Sequence, residues 1–360
     1  MPGSYLVLEL TNRCSLACVH CSVSEAGHPH HQTTGYLEVA MAEALFDDLA
    51  ETGGGFDALI LFWLGEPLIH PHFGRIWRSA MRAAVQHAVF SRIEVHTNAT
   101  HLSADRIRGA LNAAPIEQHW HFSLDAITRS TYTTIKGRDR FEQVQTNIEA
   151  FLAARSARGA PWPRPVLQFI VGSNNLSEVS AFRAHWEAVC QRTNTPVVLA
   201  AGHVPPGEEA VIFFRQLDCP TAEMQQRENT VFRSAMEAQG IQLPTATEKG
   251  ETVRAENLTP CSGFWKSPVI GWQGDVTACT RDNHLENSLG SLRTSRFSTL
   301  WWGDAMTRRR AAVAAGSYDG LPLCATCFIP KSLNHTELSG TDITRQAQWA
   351  SAQPVGKVAS

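Results

Sequence analysis

Six short apolar or β-branched runs, at residues 5–10, 57–63, 92–97, 118–124, 166–171 and 196–200, alternate with stretches whose apolar residues recur every three or four positions. Few folds accept that order. The runs suit strands, and the stretches at residues 38–49, 74–87, 104–113, 141–157 and 176–191 suit amphipathic helices, as the spacing of Phe141, Val144, Ile148 and Phe151 illustrates. Six βα units in series predict a parallel sheet closed partly or fully into a barrel, with its chemistry at the carboxyl ends of the strands. Beyond them, residues 202–209 are turn-rich, and a polar helix is expected at residues 222–239.

The chain has 360 residues, enough for about two domains, and a hydrophobic content of 43% that can fill a large core. A net charge of -3 gives no electrostatic case for nucleic acid or an anionic membrane. Residues 5–10 are too short for a targeting segment and contain Glu9, and no run approaches membrane-spanning length. Of nine cysteines, seven fall into two metal-like groups, which suits a reducing cytoplasm better than a disulfide framework.

The first group is Cys14, Cys18 and Cys21, a C-x-x-x-C-x-x-C triplet directly after the first predicted strand. Three thiolates can hold three irons of a 4Fe-4S cube and leave the fourth open to a small ligand. A zinc knuckle is the bland alternative, but it wants a fourth Cys or His at short spacing, and His20 lies between the second and third cysteines, where one ion could not easily use all four. The segment from Leu10 to Cys21 resembles the radical S-adenosylmethionine superfamily. That resemblance implies a partial (β/α)6 TIM-like barrel and an open iron that chelates S-adenosylmethionine. Reductive cleavage then gives a 5'-deoxyadenosyl radical, with a flavodoxin- or ferredoxin-type protein as the electron donor.

Four further segments resemble the family's cofactor pocket, each at the end of a predicted strand or just beyond it. Leu64-Gly65-Glu66-Pro67 is similar to a Gly-Gly-Glu-Pro motif, with Leu64 in place of a glycine, and implies that Gly65 and Glu66 hold the methionyl amino group. Thr97-Asn98-Ala99-Thr100 is similar to a Thr-Asn-Gly-Thr segment near the adenosyl group, with Ala99 again replacing glycine. Ser123-Leu124-Asp125 and Lys136-Gly137 resemble segments that contact the ribose and the methionine carboxylate. His20 stands where the family carries an aromatic residue and is expected to stack near the adenine. The competing readings are strand-end capping for Asn98, Ser123 and Asp125, and a solvated helix-flanking lysine for Lys136.

The second group is Cys261, Cys279, Cys324 and Cys327, with Cys261 before and Cys279 inside a predicted hairpin at residues 266–280 whose turn is at Gln273, Gly274 and Asp275, and with the last two as a C-x-x-C. Four thiolates can saturate a 4Fe-4S cube or a zinc ion, and spacing does not choose. The arrangement, with Gly290-Ser291-Leu292 and Trp301-Trp302, resembles a shortened SPASM extension, the twitch form, and implies a fully ligated auxiliary 4Fe-4S cluster suited to moving an electron. The expected layout is a core barrel at 1–205, a linker and substrate-covering segment at 206–255, a small α+β cluster domain at 256–335 and a tail at 336–360. Cys190 reads as a buried structural thiol. Cys219 is a candidate hydrogen-atom donor over the barrel mouth, and Asp218 and Glu208 are candidate bases.

The resemblance implies an enzyme acting on a small-molecule or peptide substrate. A radical oxidoreductase that passes the substrate's electron to the auxiliary cluster is expected. The combination of core and twitch extension resembles aminocyclitol dehydrogenases and so favours dehydrogenation of a sugar or aminocyclitol, and the barrel's start within five residues of the first residue favours a small molecule over a peptide. The alternatives are a peptide maturase, epimerising through Cys219 or forming cross-links, and a non-catalytic zinc module.

Overall fold

The computed structural model describes residues 4–24, 27–112, 114–243 and 261–327. Ten strands make one sheet: β1 (Tyr5–Leu8), β2 (Phe56–Leu61), β3 (Phe90–Thr97), β4 (Glu117–Ser123), β5 (Arg164–Val171), β6 (Val197–Ala201), β7 (Ala210–Gln216), β8 (Val269–Ile270), β9 (Asp275–Thr277) and β10 (Gly290–Ser291). Their order is β10-β9-β8-β1-β2-β3-β4-β5-β7-β6, with every pair from β8 to β6 parallel and the β8-β9-β10 end antiparallel. This is the partial barrel expected from the alternation. The helices Val39–Glu51, Phe73–His87, Ala104–Leu111, Phe141–Arg158 and Val179–Arg192 fall where the 3.6-residue period puts them.

Alternation along each strand divides its side chains between helix layer and lumen. Leu6 and Leu8, Leu59 and Leu61, Ile93 and Val95, Trp120 and Phe122, Leu167 and Phe169, and Ile212 and Phe214 all join the main core beneath the helices. Trp120, fully buried, packs on Trp77 of one helix and Phe151 of another. Each such aromatic contributes about 1.5–3 kcal/mol by leaving water. A separate small apolar cluster of Val166, Ala200, Val211 and Phe213 lies on the other side of β5, β6 and β7.

Three features depart from the expectation. First, residues 206–255, which composition predicts to be a linker, contain β7, seated between β5 and β6. The run from Ala210 to Phe214 is continuously apolar and wholly buried, as an interior parallel strand must be, but the turn-rich residues before it hide the signal. Second, the helix Arg129–Lys136 has only Tyr132 and Ile135 to mark its buried face, too few to register a period. It is capped by Thr128 and ended by Gly137 at φ 69°. Third, the expected hairpin forms, but β8 pairs with β1, so the C-terminal unit continues the barrel's own sheet. Cys324 lies in a short helix, Pro322–Thr326, with Pro322 at its first turn, and Cys327 caps its end. The expected tail at 336–360 lies outside the described residues. No described helix is long and apolar enough to cross a membrane.

Candidate active site

The loop after β1 is anchored before it reaches its cysteines. Glu9 accepts hydrogen bonds from the amides of Leu64 (3.2 Å) and Trp272 (3.0 Å), tying the ends of β1 and β2 to the C-terminal hairpin; burial lifts its pKa to about 7. Further on, the amides of Ala17 and Val19 bond to the carbonyls of Lys136 (3.0 Å) and Ile135 (2.9 Å). Gly137 makes that contact possible, because a Cβ there would stand 2.3 Å from the Ala17 oxygen. Ser24 Oγ bonds the Cys18 carbonyl at 2.7 Å and closes the loop. Cys14 feels the charges of Cys18 and Cys21, and Cys18 that of Cys21, so the three thiols of this loop lie within electrostatic reach of one another. Burial pushes the Cys14 thiol up to about 12. Thiols held protonated in this way ionise when metal binds, which fits an iron-cluster ligand set.

Asn98 reaches this loop directly, its Nδ2 lying 3.3 Å from Ser15 Oγ and 3.6 Å from Cys14 Sγ. The resemblance implies that Glu66 holds the methionyl amino group; here its carboxylate accepts from three donors of the protein. Its Oε1 takes the Leu68 amide (3.0 Å) and the Thr97 hydroxyl (2.7 Å), and its Oε2 takes the Asn98 amide (2.7 Å). With the side chain only 2% exposed, it braces the ends of β2 and β3 and is a positioning residue. Gly65 is needed for space: a Cβ would lie 2.1 Å from the Thr11 oxygen. Leu64 is absent from the positive-φ residues, so the expected loss of glycine freedom costs nothing there, whereas Ala99 does sit in the left-handed region at φ 62°.

Glu66→Gln tests this brace. The amide would put an N–H donor against one of three N–H or O–H donors, at a cost of about 1.5–3 kcal/mol. Iron content should stay unchanged while S-adenosylmethionine binds about tenfold more weakly in equilibrium dialysis; undiminished affinity would show that the Asn98 segment does not need the carboxylate.

Ser123, Asp125, Lys136 and His20 meet in one buried network. Lys136 Nζ lies 2.6 Å from Asp125 Oδ2 and 3.1 Å from Ser123 Oγ, and His20 Nε2 is 3.7 Å from the same carboxylate oxygen. The other Asp125 oxygen takes the Ile170 amide at 2.7 Å. Lys136 is 1% exposed, so the solvated-lysine reading does not hold. Burial alone would raise the Asp125 pKa, but Lys136 and His20 outweigh it and hold it below the ordinary value. Lys136 is raised, because Asp125 and Cys18 overcome its desolvation. A buried cation therefore stands beside the cysteine loop.

In the second set, Cys261 likewise lies within electrostatic reach of Cys279, Cys324 and Cys327. Burial pushes Cys261 and Cys324 up to about 12 and Cys279 to about 11. Cys279 Sγ accepts from the Arg281 amide at 3.4 Å and Cys324 Sγ from Asn287 Nδ2 at 3.2 Å, hydrogen bonds suited to thiolate ligands. Asp282 shapes the loop between them by accepting the amides of Glu286 (2.9 Å) and Asn287 (3.1 Å). Trp63 Nε1 donates to the Thr280 carbonyl at 3.0 Å, fastening the set beside the carboxyl end of β2. Trp301 is fully buried against Phe297 and Arg310, a packing residue as expected.

The three proposed catalytic groups fare differently. Glu208 precedes β7, at the amino ends of the strands, where its carbonyl takes Arg155 Nη2 at 2.6 Å; it is at the wrong end of the barrel for a base. Asp218 is engaged in an ion pair with Arg281. Cys219 does follow the carboxyl end of β7, 3% exposed, with burial raising its thiol pKa and its carbonyl held by Arg281 Nη2 at 3.0 Å. Cys190 is fully buried in its helix. Unanticipated are the polar lumen residues Arg92, Glu94 and His96 of β3 and Glu117, His119 and His121 of β4. Their signal was an every-second-residue polar pattern within strands that also carry apolar core positions.

A parallel partial barrel that carries a three-thiol loop at the carboxyl ends of its strands, with a closed four-thiol set beside it, defines an iron-sulfur enzyme. Residues 8–178 match the Radical SAM superfamily and residues 261–328 match SPASM, an iron-sulfur cluster-binding domain. The chain belongs to the radical S-adenosylmethionine superfamily and carries a SPASM-type domain after its barrel. It is 32% identical over 152 residues to the GTP 3',8-cyclase of Chlorobaculum tepidum, a match spanning 42% of each protein and so less than half of the cyclase. It is 20% identical over 354 residues to the tungsten-containing aldehyde ferredoxin oxidoreductase cofactor-modifying protein of Pyrococcus furiosus, covering 94% of this chain and 91% of that one. Among solved structures, Streptococcus suis SuiB bound to S-adenosylmethionine superposes with a TM-score of 0.58 at 11% identity, over 93% of this chain and 76% of SuiB. SuiB bound to its precursor peptide SuiA gives the same TM-score, 0.58, at 10% identity, over 92% of this chain and 70% of SuiB. Likeness at this identity speaks for the fold alone.

Proposed function

We propose that this chain is a radical S-adenosylmethionine oxidoreductase with two 4Fe-4S clusters, one on Cys14, Cys18 and Cys21 and one on Cys261, Cys279, Cys324 and Cys327. When bound, the clusters and S-adenosylmethionine supply a 5'-deoxyadenosyl radical that takes a hydrogen atom from the substrate, and an acceptor for the electron left behind. The observation that carries the reading is the second set of four cysteines within the SPASM-type domain: four thiolates on one cube would leave no iron open for substrate and suit it to electron transfer. Asn98, Ser123, Asp125, Lys136 and His20 are the pocket for S-adenosylmethionine, with Gly65 and Glu66 setting its backbone. A flavodoxin- or ferredoxin-type donor supplies the starting electron. The polar lumen supports a hydroxyl- or amino-bearing small molecule, and so favours sugar or aminocyclitol dehydrogenation.

A second reading, peptide epimerisation, draws on Cys219. Its thiol is held protonated beyond the carboxyl end of β7, as a hydrogen-atom donor must be. Turnover of aminocyclitols and of candidate peptides in deuterated water separates the two. The oxidoreductase yields a product two electrons more oxidised, with no deuterium at the abstracted carbon; deuterium there, lost in Cys219→Ala, establishes epimerisation instead.

A further inference from the structure

The lumen-facing residues of β3 and β4 form a cluster to which the proposed reaction assigns no individual roles. The register sets His96 opposite His121 and Glu94 opposite His119, so four metal-ligand side chains occupy two adjacent rungs of one strand pair. One ligand atom each from Glu94, His119 and His121 lies within 4.8 Å of the other two. Glu94 Oε2 is 3.0 Å from His96 Nε2 and 3.4 Å from His121 Nε2, and the His96 and His121 rings stack at 4.0 Å. His121 is 6% exposed, yet its Nδ1 has no hydrogen-bond partner and its Nε2 has only the Glu94 oxygen at 3.4 Å, an arrangement that costs free energy unless something else takes the lone pair.

We propose that Glu94, His119 and His121, with His96 beside them, bind one divalent first-row transition ion such as zinc in the barrel lumen. Two imidazoles and a carboxylate with positions left open are a donor set for such ions. The outer partners that orient ligands are present as well: Arg92 Nε holds the far oxygen Glu94 Oε1 at 2.7 Å, and Glu117 Oε1 stands 2.9 Å from His119 Nε2, which gives the ligand role to Nδ1.

The position gives the ion a use. His96 and His121 come two residues before Asn98 and Ser123, one same-face step of about 6.6 Å along each strand. An oxygen or nitrogen of the substrate bound to the ion at this depth would leave the rest of the molecule facing the cofactor pocket. The assignment stands apart from the oxidoreductase reading, since an epimerase could anchor its substrate in the same way.

The test uses protein whose cysteines are already occupied. Anaerobically reconstituted holoenzyme, incubated with zinc chloride and desalted, should retain about one zinc per chain, with an X-ray absorption shell of nitrogen and oxygen near about 2.0–2.1 Å and no sulfur near about 2.3 Å. His121→Asn should lose the zinc while keeping the parent's iron content. Failure to retain zinc, a sulfur shell, or retention undiminished in His121→Asn at full iron content would overturn the site and leave a hydrogen-bonded floor. The absorption measurement on the unaltered protein decides even where the variant fails to fold.

Discussion

Replacing Cys14, Cys18 and Cys21 together by alanine should halve the iron of the anaerobically reconstituted protein, from about eight atoms per chain to about four, and abolish 5'-deoxyadenosine formation. The two thiol sets are built from separate segments, residues 14–21 on the loop after β1 and residues 261–327 around the hairpin, so loss of the first leaves the ligands of the second in place. Iron and sulfide analysis, with S-adenosylmethionine cleavage under dithionite, checks both parts. An intact protein holding about four irons, unchanged by the triple replacement, would remove the radical assignment. A colourless intact protein would instead revive the zinc-module reading.

The second large effect is expected at Lys136. Lys136→Met strands the Asp125 carboxylate, fully buried, without the ammonium 2.6 Å away, and breaking such a pair from one side costs about 3–5 kcal/mol. The pH dependence should also change sign. In the intact protein the Asp125 pKa is depressed, so its contribution is present above the unfolded value of about 3.9 and fades as pH falls through the folded one. Without Lys136 burial dominates and raises the pKa, so stability is lost as pH rises. Adding Asp125→Asn should recover most of the stability, since the amide still accepts from Ile170, but not cleavage of S-adenosylmethionine. Recovery of cleavage in the double variant would assign the pair a purely structural part. A single-variant cost under about 1 kcal/mol would mean that water reaches the site.

The legible part of the fold was its rhythm. Strands β1 to β6 and their helices were marked by run length and by the 3.6-residue period, because both reflect burial of a continuous core. β7 was missed because the turn-rich residues before it masked the apolar run from Ala210 to Phe214, and its place between β5 and β6, out of chain order, is written in no local pattern. The thiols were legible by spacing, as were Ser123, Asp125, Lys136 and His20 by resemblance; their meeting around one buried ion pair was not. Glu66 and Asp218 went astray for a shared reason. A carboxylate's type is written in the sequence, whereas the donors that consume it, the Thr97 hydroxyl and Asn98 amide for one and Arg281 for the other, arrive from distant segments.

The pairing of β8 with β1 has a consequence for how the chain comes into being. During synthesis β1 precedes the neighbour that covers its outer edge, Val269 and Ile270, by about 260 residues of chain. Until then Val7 and Leu8 border an open strand edge, a template for pairing with another nascent chain. Translation arrested before Val269 should therefore leave a barrel prone to self-association, and the metal-bearing end of the polypeptide doubles as the piece that seals its beginning.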